Sequence, residues 1–386
     1  MGNVKLFRST DYGAPILYGN AGYMIPVLQA CLVDGYGTNN VTSITHSGGT
    51  VTVTTQNAHG LKDYSRQTIA GVSNDTAYNG EYIITVTGTN TFTYSKAGIT
   101  STPGTGTITT KSAGAGWTKP YSGTNLAAFR QGGGNQRYLR IDDTTTITCR
   151  VVGYESMSDV NTGTGPFPTA AQFTGGLYFQ KSQTADATNA REWIIIADDR
   201  QFFLWVNWDS TTSHGGTPLV TFGDFVSYKS GDAYNTHLLA NISGAIAGFR
   251  FSYINAQVQT ADTGHYVPRS YTQIGTSMPC ARVSDYSKGN AQLNMGAATA
   301  TGLPYPHPVD GGLWMAPVWI AETATTALQS VVRGVMNGVW NPLHAKPFNT
   351  GDTFQGTGDL SGKTFFVLNC QLSAEVIIEI PLTWTW

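Results

Sequence analysis

From Val41 to Thr110 apolar and polar residues alternate in short runs. Val41–His46, Thr50–Thr55, Gln67–Ala70, Glu81–Thr87, Thr91–Tyr94 and Thr105–Thr110 each change sides residue by residue, and Gly or Asn bounds them. That period of two predicts half-buried strands. Gly48-Gly49 and Gly88-Thr89-Asn90 supply hairpin turns. Six short strands in so short a stretch predict a small β-sandwich or barrel whose first and last strands pair. Loop signals flank it, at Asp34–Asn40 and Thr109–Gly116. A unit with adjacent ends fits into a loop of a host fold. Residues 39–111 therefore read as an inserted domain, and residues 1–38 with 112–386 as a discontinuous host.

The host opens on a helical pattern. Met24, Val27, Leu28, Cys31 and Leu32 share one face, Pro26 sits in the first turn and Gly35 follows as a stop. The pattern then turns to strands. Asn125–Gln131 runs into a glycine turn, and Arg137–Asp142 with Thr146–Tyr154 predicts a hairpin of half-buried strands. Glu192–Ala197 and Gln201–Val206 are almost continuously apolar around Asp198-Asp199-Arg200. That hairpin is expected to be covered on both faces, as the centre of the host. Further strands are expected near Leu219–Phe222, Phe249–Tyr253, Leu313–Ile320, Lys363–Cys370 and Val376–Ile380. The apolar stripe of Leu328, Val331, Val332, Val335 and Met336 predicts a second helix over Thr323–Met336. The fold class is mainly β: an antiparallel sandwich or barrel-like host with one or two helices, plus the small inserted sandwich. The stretch 208–312 is rich in loops, where interfaces and function concentrate.

Composition sharpens this picture. Of 386 residues only 12% are charged, with 45 glycines and 11% aromatics. Aromatic content argues against disorder. Twenty-two basic against 24 acidic residues, a net charge of −2, give no bulk attraction to nucleic acid. No run of about 18 apolar residues predicts a membrane helix, and Met1–Arg8 carries no apolar segment behind its basic residues, so no secretory signal is expected. Few surface charges favour association.

Chemistry is sparse. Gly356–Thr364 reads GTGDLSGKT, but the phosphate cradle needs a glycine at 357, where Thr stands, and a following helix, where an apolar strand stands. It reads as a hairpin turn. Cys31, Cys149, Cys280 and Cys370 form no close ligand pair and read as buried, reduced thiols. His46, His59, His214, His237, His265, His307 and His344 show no helical metalloprotease spacing. Asp198, Asp199, Asp224, Asp232, Asp310 and Asp352 neighbour turn residues, and no pair is singled out for acid/base work. The expectation is a non-enzymatic protein with no cofactor and no metal. Of nine tryptophans, Trp205, Trp314 and Trp319 lie in strand-like runs and read as core. Trp117, Trp208, Trp340, Trp384 and Trp386 lie in loops or at the end, and are the candidate contacts to a neighbouring subunit or a glycan. The closing Thr383-Trp-Thr-Trp386 is expected to dock, either in its own core or in the next subunit.

Three stretches resemble a family of tailed-bacteriophage virion proteins: Thr10–Gly37 (TDYGAPILYGNAGYMIPVLQACLVDGYG), Lys111–Gln131 (KSAGAGWTKPYSGTNLAAFRQ) and Val339–Phe366. In relatives the GYG segment runs almost directly into the AGWTKPYSGTN segment, which agrees with an insertion here. The insert (AHGL…AYNGEYIITVTGTNTFTY) is similar to small Ig-like modules of phage tail and capsid proteins. The resemblance implies a virion structural protein, placed in the particle and partnered by copies of itself and other virion proteins. It carries over no catalytic or binding residue. It does not say which part of the particle; the loop-rich stretch 208–312, suited to contacts with several unlike neighbours, favours the tail, baseplate or neck, with capsid decoration and adsorption to a host-surface glycan as alternatives.

Overall fold

The computed structural model describes residues 3–208, 219–244, 263–283, 304–323, 331–342, 344, 348–371, 374–380, 384 and 386. The host is built of three antiparallel layers. The first is a meander of Thr118–Gly123, Leu126–Arg130, Tyr138–Asp142 and Thr148–Met157, the last also pairing with Gly163–Phe167 and Leu177–Gln180. The central layer runs Lys5–Arg8, Trp193–Ala197, Gln201–Val206, Leu219–Asp224, Thr236–Asn241 and Thr263–Val267. Met278–Val283 joins that layer to the third, which continues through Met315–Glu322, Val331–Pro342, Ala374–Ile380 and Thr364–Gln371.

The central hairpin is covered on both faces, as its unbroken apolar text predicts. Trp193, Ile195, Phe202, Leu204 and Val206 face one core, shared with Phe129, Ile141, Val151 and Phe179 of the first layer. Ile194, Ile196, Phe203 and Trp205 face a second core with Val318, Ile320, Phe366 and Ile378 of the third. Each such side chain removed from water is worth about 1.5–3 kcal/mol, so burial stabilises this hairpin from both sides.

The helix forms where its apolar face predicts. Met24–Gln29 is α-helical and Ala30–Asp34 continues as a wider turn, ended by Gly35 at φ 72°. Tyr23 offers no side-chain cap. Asp143 replaces it from afar, accepting the N–H groups of Met24 and Ile25 at 2.7 and 3.3 Å. Asp143 is itself paired with Lys181, and both side chains are wholly buried.

Residues 36–112 form a seven-stranded sheet of their own: Gly80–Ile83, Arg66–Val72, Gly106–Ser112, Tyr36–Ser47, Thr50–Thr55, Thr91–Ser95 and Thr85–Val86. Ile44, Val53, Ile69, Tyr78 and Phe92 make its separate core. The expected strand Glu81–Thr87 is broken in two at Ile84, whose buried side chain belongs to that core. Tyr36 lies opposite Ser112 and Asn39 opposite Thr110, so the sheet's entry and exit are neighbours. Polar contacts tie it to the host, including Lys5 to Glu81 at 2.7 Å and the Arg66 guanidinium to the Val4 carbonyl at 3.0 Å.

The second expected helix is corrected. Val331–Met336 lies in the strand Val331–Pro342, paired with Met315–Glu322. Val331 and Val332, read as a buried stripe, are 43% and 48% exposed, while Arg333 between them and Gly334 is buried. The β-branched valines favour strand over helix. A Cβ at Gly338, where φ is 70°, would enter the Trp384 ring. Residues 324–330 and Phe249–Tyr253 lie outside the described residues.

Candidate functional site

The site begins at the tightest turn of the central layer. Asp198 closes the hairpin: one carboxylate oxygen accepts the N–H groups of Arg200 and Gln201, both at 2.8 Å. The other accepts the indole N–H of Trp386 at 2.8 Å. Its main-chain carbonyl accepts the indole N–H of Trp117 at 2.7 Å. Asp198 is fully buried, and that burial, opposed by these hydrogen bonds, pushes its pKa up to about 6.

Arg200 leaves this turn toward solvent. Its aliphatic stem lies against Gly133 and Gly134, and its guanidinium sits 5.3 Å from the centre of the Trp386 ring. Its Nε is buried with no hydrogen-bond partner. Loop 225–235 forms the facing wall. The Phe225 N–H reaches the Asn235 carbonyl at 2.8 Å, and the Asn235 amide returns to the Phe225 carbonyl at 2.6 Å, which pins the neck of the loop. Between these walls opens a cavity of about 430 Å3, lined by Arg200, Phe225, Lys229, Ser230, Asp232 and Trp386 among others.

Asp232, the one carboxylate side chain among its described lining residues, is already engaged. The Arg333 guanidinium binds both oxygens at 2.8 and 2.9 Å, and Ser227 and the Tyr234 N–H complete the set. Burial raises the Asp232 pKa, the hydrogen bonds from Arg333 and Ser227 outweigh it, and the group is held below its ordinary value. Arg333 also pairs with Glu322 at 2.8 Å. The cavity thus offers an ionised, fully bonded acid on one side. On the other it offers donors still to be used: the Arg200 guanidinium, the exposed Lys229 ammonium with one bond to the Tyr271 carbonyl, and the Ser230 hydroxyl.

The candidate tryptophans separate. Trp386 alone lines this cavity. Trp117 and Trp208 are buried within the chain, and Trp384 packs edge-on to Phe203 while donating to the Glu379 carbonyl at 3.0 Å. These three are expected at a surface and are buried instead. Trp340 is half-buried beside Phe365. Conversely Trp314, read as core, is 47% exposed, stacked on His307 and held by Asp310 at 2.9 Å. Trp319 is half-buried and donates to the Tyr228 hydroxyl. The closing tryptophans dock in their own chain.

No family model matches the chain, and no curated protein matches it. Among solved structures it is similar to the phage phi92 endosialidase, with 12% identity and a TM-score of 0.18, over 90% of this chain and 53% of that one. The chain spans about half the length of that protein. A TM-score of 0.18 does not establish a shared fold.

Cys31, Cys149 and Cys280 are buried free thiols, raised in pKa by burial; the Cys370 side chain and His214 lie outside the described residues. His237 and His265 meet inside the second core, Nδ1 to Nε2 at 3.0 Å. Burial lowers His237 to about 3 and His265 well below its ordinary value, so both are neutral. Among the described residues no three His, Cys, Asp or Glu side chains gather around a metal position. Arg200 and Arg333 were missed by sequence reading. Their signal was position: isolated cations at a turn and in a strand, in a chain so poor in charge.

Proposed function

We propose that this chain is a structural subunit of a tailed-phage virion, assembling through repeated contacts with its own copies and with other virion proteins, on the tail, baseplate or neck side. The observation that carries the reading is where the insert leaves and rejoins the host. In the phage family that the sequence resembles, the GYG and AGWTKPYSGTN segments are nearly contiguous. Here Tyr36 faces Ser112, the Ala115 N–H donates to the Cys31 carbonyl and the Trp117 N–H to that of Leu32, each at 2.9 Å. The host path is therefore one that a chain without the insert can follow, and the resemblance is supported in space as well as in text.

The surface supports association. Tyr228, Tyr271 and Ile274 are 61%, 45% and 76% exposed. They lie on one rim, since Lys229 bonds the Tyr271 carbonyl and the Gln273 amide bonds that of Gly231. Clustered exposed aromatic and aliphatic side chains mark interaction surfaces. Non-enzymatic work is part of the proposal. The test is the protein content of purified mature particles: the chain is expected there in many copies, and its absence would overturn the reading.

A further inference from the structure

The cavity beside Trp386 goes beyond a role in assembly. We propose that it is a binding site for an acidic saccharide, with the sugar ring laid on the Trp386 indole and its carboxylate bound by Arg200 and Lys229.

Three observations combine. First, the Arg200 guanidinium is built in place but not used. Gly133 and Gly134 lie against its stem, its planar head sits over the Trp386 ring at 5.3 Å from the ring centre, and its buried Nε has no hydrogen-bond partner. A planar fork of donors matches a carboxylate. Second, Trp386 is fixed rather than loose, because its N–H is held by the buried Asp198 carboxylate. A fixed indole at a cavity wall presents an apolar surface to the C–H face of a sugar ring at little entropic cost. Third, the remaining lining is small and polar. Ser230, Gly231 and Ala233 leave room for hydroxyl groups, and about 430 Å3 falls in the range of small-molecule sites. Asp232 is ion-paired with Arg333, which it shares with Glu322.

This chemistry favours a saccharide over an acidic peptide. A peptide carboxylate needs the cation alone, whereas ring stacking beside the cation rewards a ligand whose carboxylate is attached directly to a ring.

The test uses the full chain and saturation-transfer NMR with a panel of oligosaccharides bearing uronic acids. Each is paired with its carboxyl-reduced, neutral counterpart, and oligoglutamate and inorganic sulfate are further probes. The acidic sugars are expected to bind, with transfer strongest at ring protons, and the reduced counterparts to bind at least about tenfold more weakly. Arg200→Gln should weaken the acidic sugars by a similar factor with the melting temperature unchanged within about 2 °C. Lys229→Gln, at an exposed position, should weaken them by a smaller factor. Equal binding of the reduced sugars would overturn the proposal, as would binding unaffected by Arg200→Gln. Oligoglutamate or sulfate binding as tightly as the sugars would show a cation site only. No binding anywhere in the panel at millimolar concentration would also overturn it. None of these outcomes bears on whether the chain is found in particles.

Discussion

The indole N–H of Trp386 donates to the carboxylate of Asp198 across 188 positions of sequence, at 2.8 Å. The same carboxylate turns the central hairpin, so one buried acid both shapes the host core and docks the last tryptophan. Asp198→Asn separates these roles. One amide oxygen still serves the Arg200 and Gln201 N–H groups, but the amide nitrogen then faces the indole N–H, donor against donor. The expected cost is about 1–3 kcal/mol, read by denaturant unfolding, with a red shift of tryptophan emission as Trp386 leaves its seat. The variant should also change pH dependence. Asp198 holds its proton to about pH 6 when folded, against an ordinary value of 3.8. A raised carboxyl pKa gives stability that is full below 3.8 and lost as pH rises through 6. Asp198→Asn should remove that loss from the wild-type profile.

The buried histidines act with the opposite sign. His237 titrates at about 3 in the folded chain, mainly through burial, with the Arg282 charge adding to it, against an ordinary 6.5. A depressed histidine pKa gives stability that is full above 6.5 and lost as pH falls toward 3. Replacing His237 and His265 together by Gln keeps polar groups in place but removes the titration. Unfolding free energy should then fall less steeply between pH 6.5 and 4 than in the wild type. Equal slopes would show that the pair does not stay neutral in the fold.

Arg333 is the cation whose loss the fold should tolerate least. It is buried and bonds Asp232 and Glu322 together. Arg333→Met leaves two carboxylates beside one another without a counter-charge, at a cost of about 3–5 kcal/mol. Arg200→Gln, which removes no hydrogen bond from the guanidinium, should cost under about 1 kcal/mol. Denaturant midpoints of the two variants compare a structural arginine with an unused one.

The central hairpin was legible because both faces of Glu192–Val206 are apolar, and only a doubly covered strand supports that pattern. The helix at Met24 and the alternating strands of residues 41–110 were legible for the same local reason. Thr323–Met336 was misread because valines at 331, 332 and 335 satisfy helical spacing as well as they satisfy a strand. What decided it was non-local: Gly334 lies under the Val226 carbonyl and Gly338 under Trp384. The tryptophans failed similarly. Position in a loop predicts exposure, yet Trp117 is drawn inward by an Asp198 carbonyl 81 residues away. The cavity could not be read at all, since Arg200, Lys229 and Trp386 meet only through the tertiary fold.

Adjacent ends make the inserted sheet removable. Tyr36 and Ser112 are paired, so a short glycine linker in place of residues 39–111 spans the gap without moving the Met24 helix or Trp117. The excised sheet takes its own core with it, leaves the first host core whole and removes Tyr64 from the edge of the second. The cost falls on the polar seam. Lys5 loses Glu81 and keeps the Gly114 carbonyl, and the Val4 carbonyl loses Arg66. A buried ammonium without its carboxylate is unfavourable, so the deleted host should melt lower than the parent while keeping a β-type circular dichroism spectrum. Lys5→Met in the deleted chain should recover part of the loss, because it removes the unpaired charge. In particles, assembly without adsorption after the deletion would make the sheet a binding module, and failed assembly would make it structural. A deleted host that is unfolded even with Lys5→Met would show that the two units fold only together.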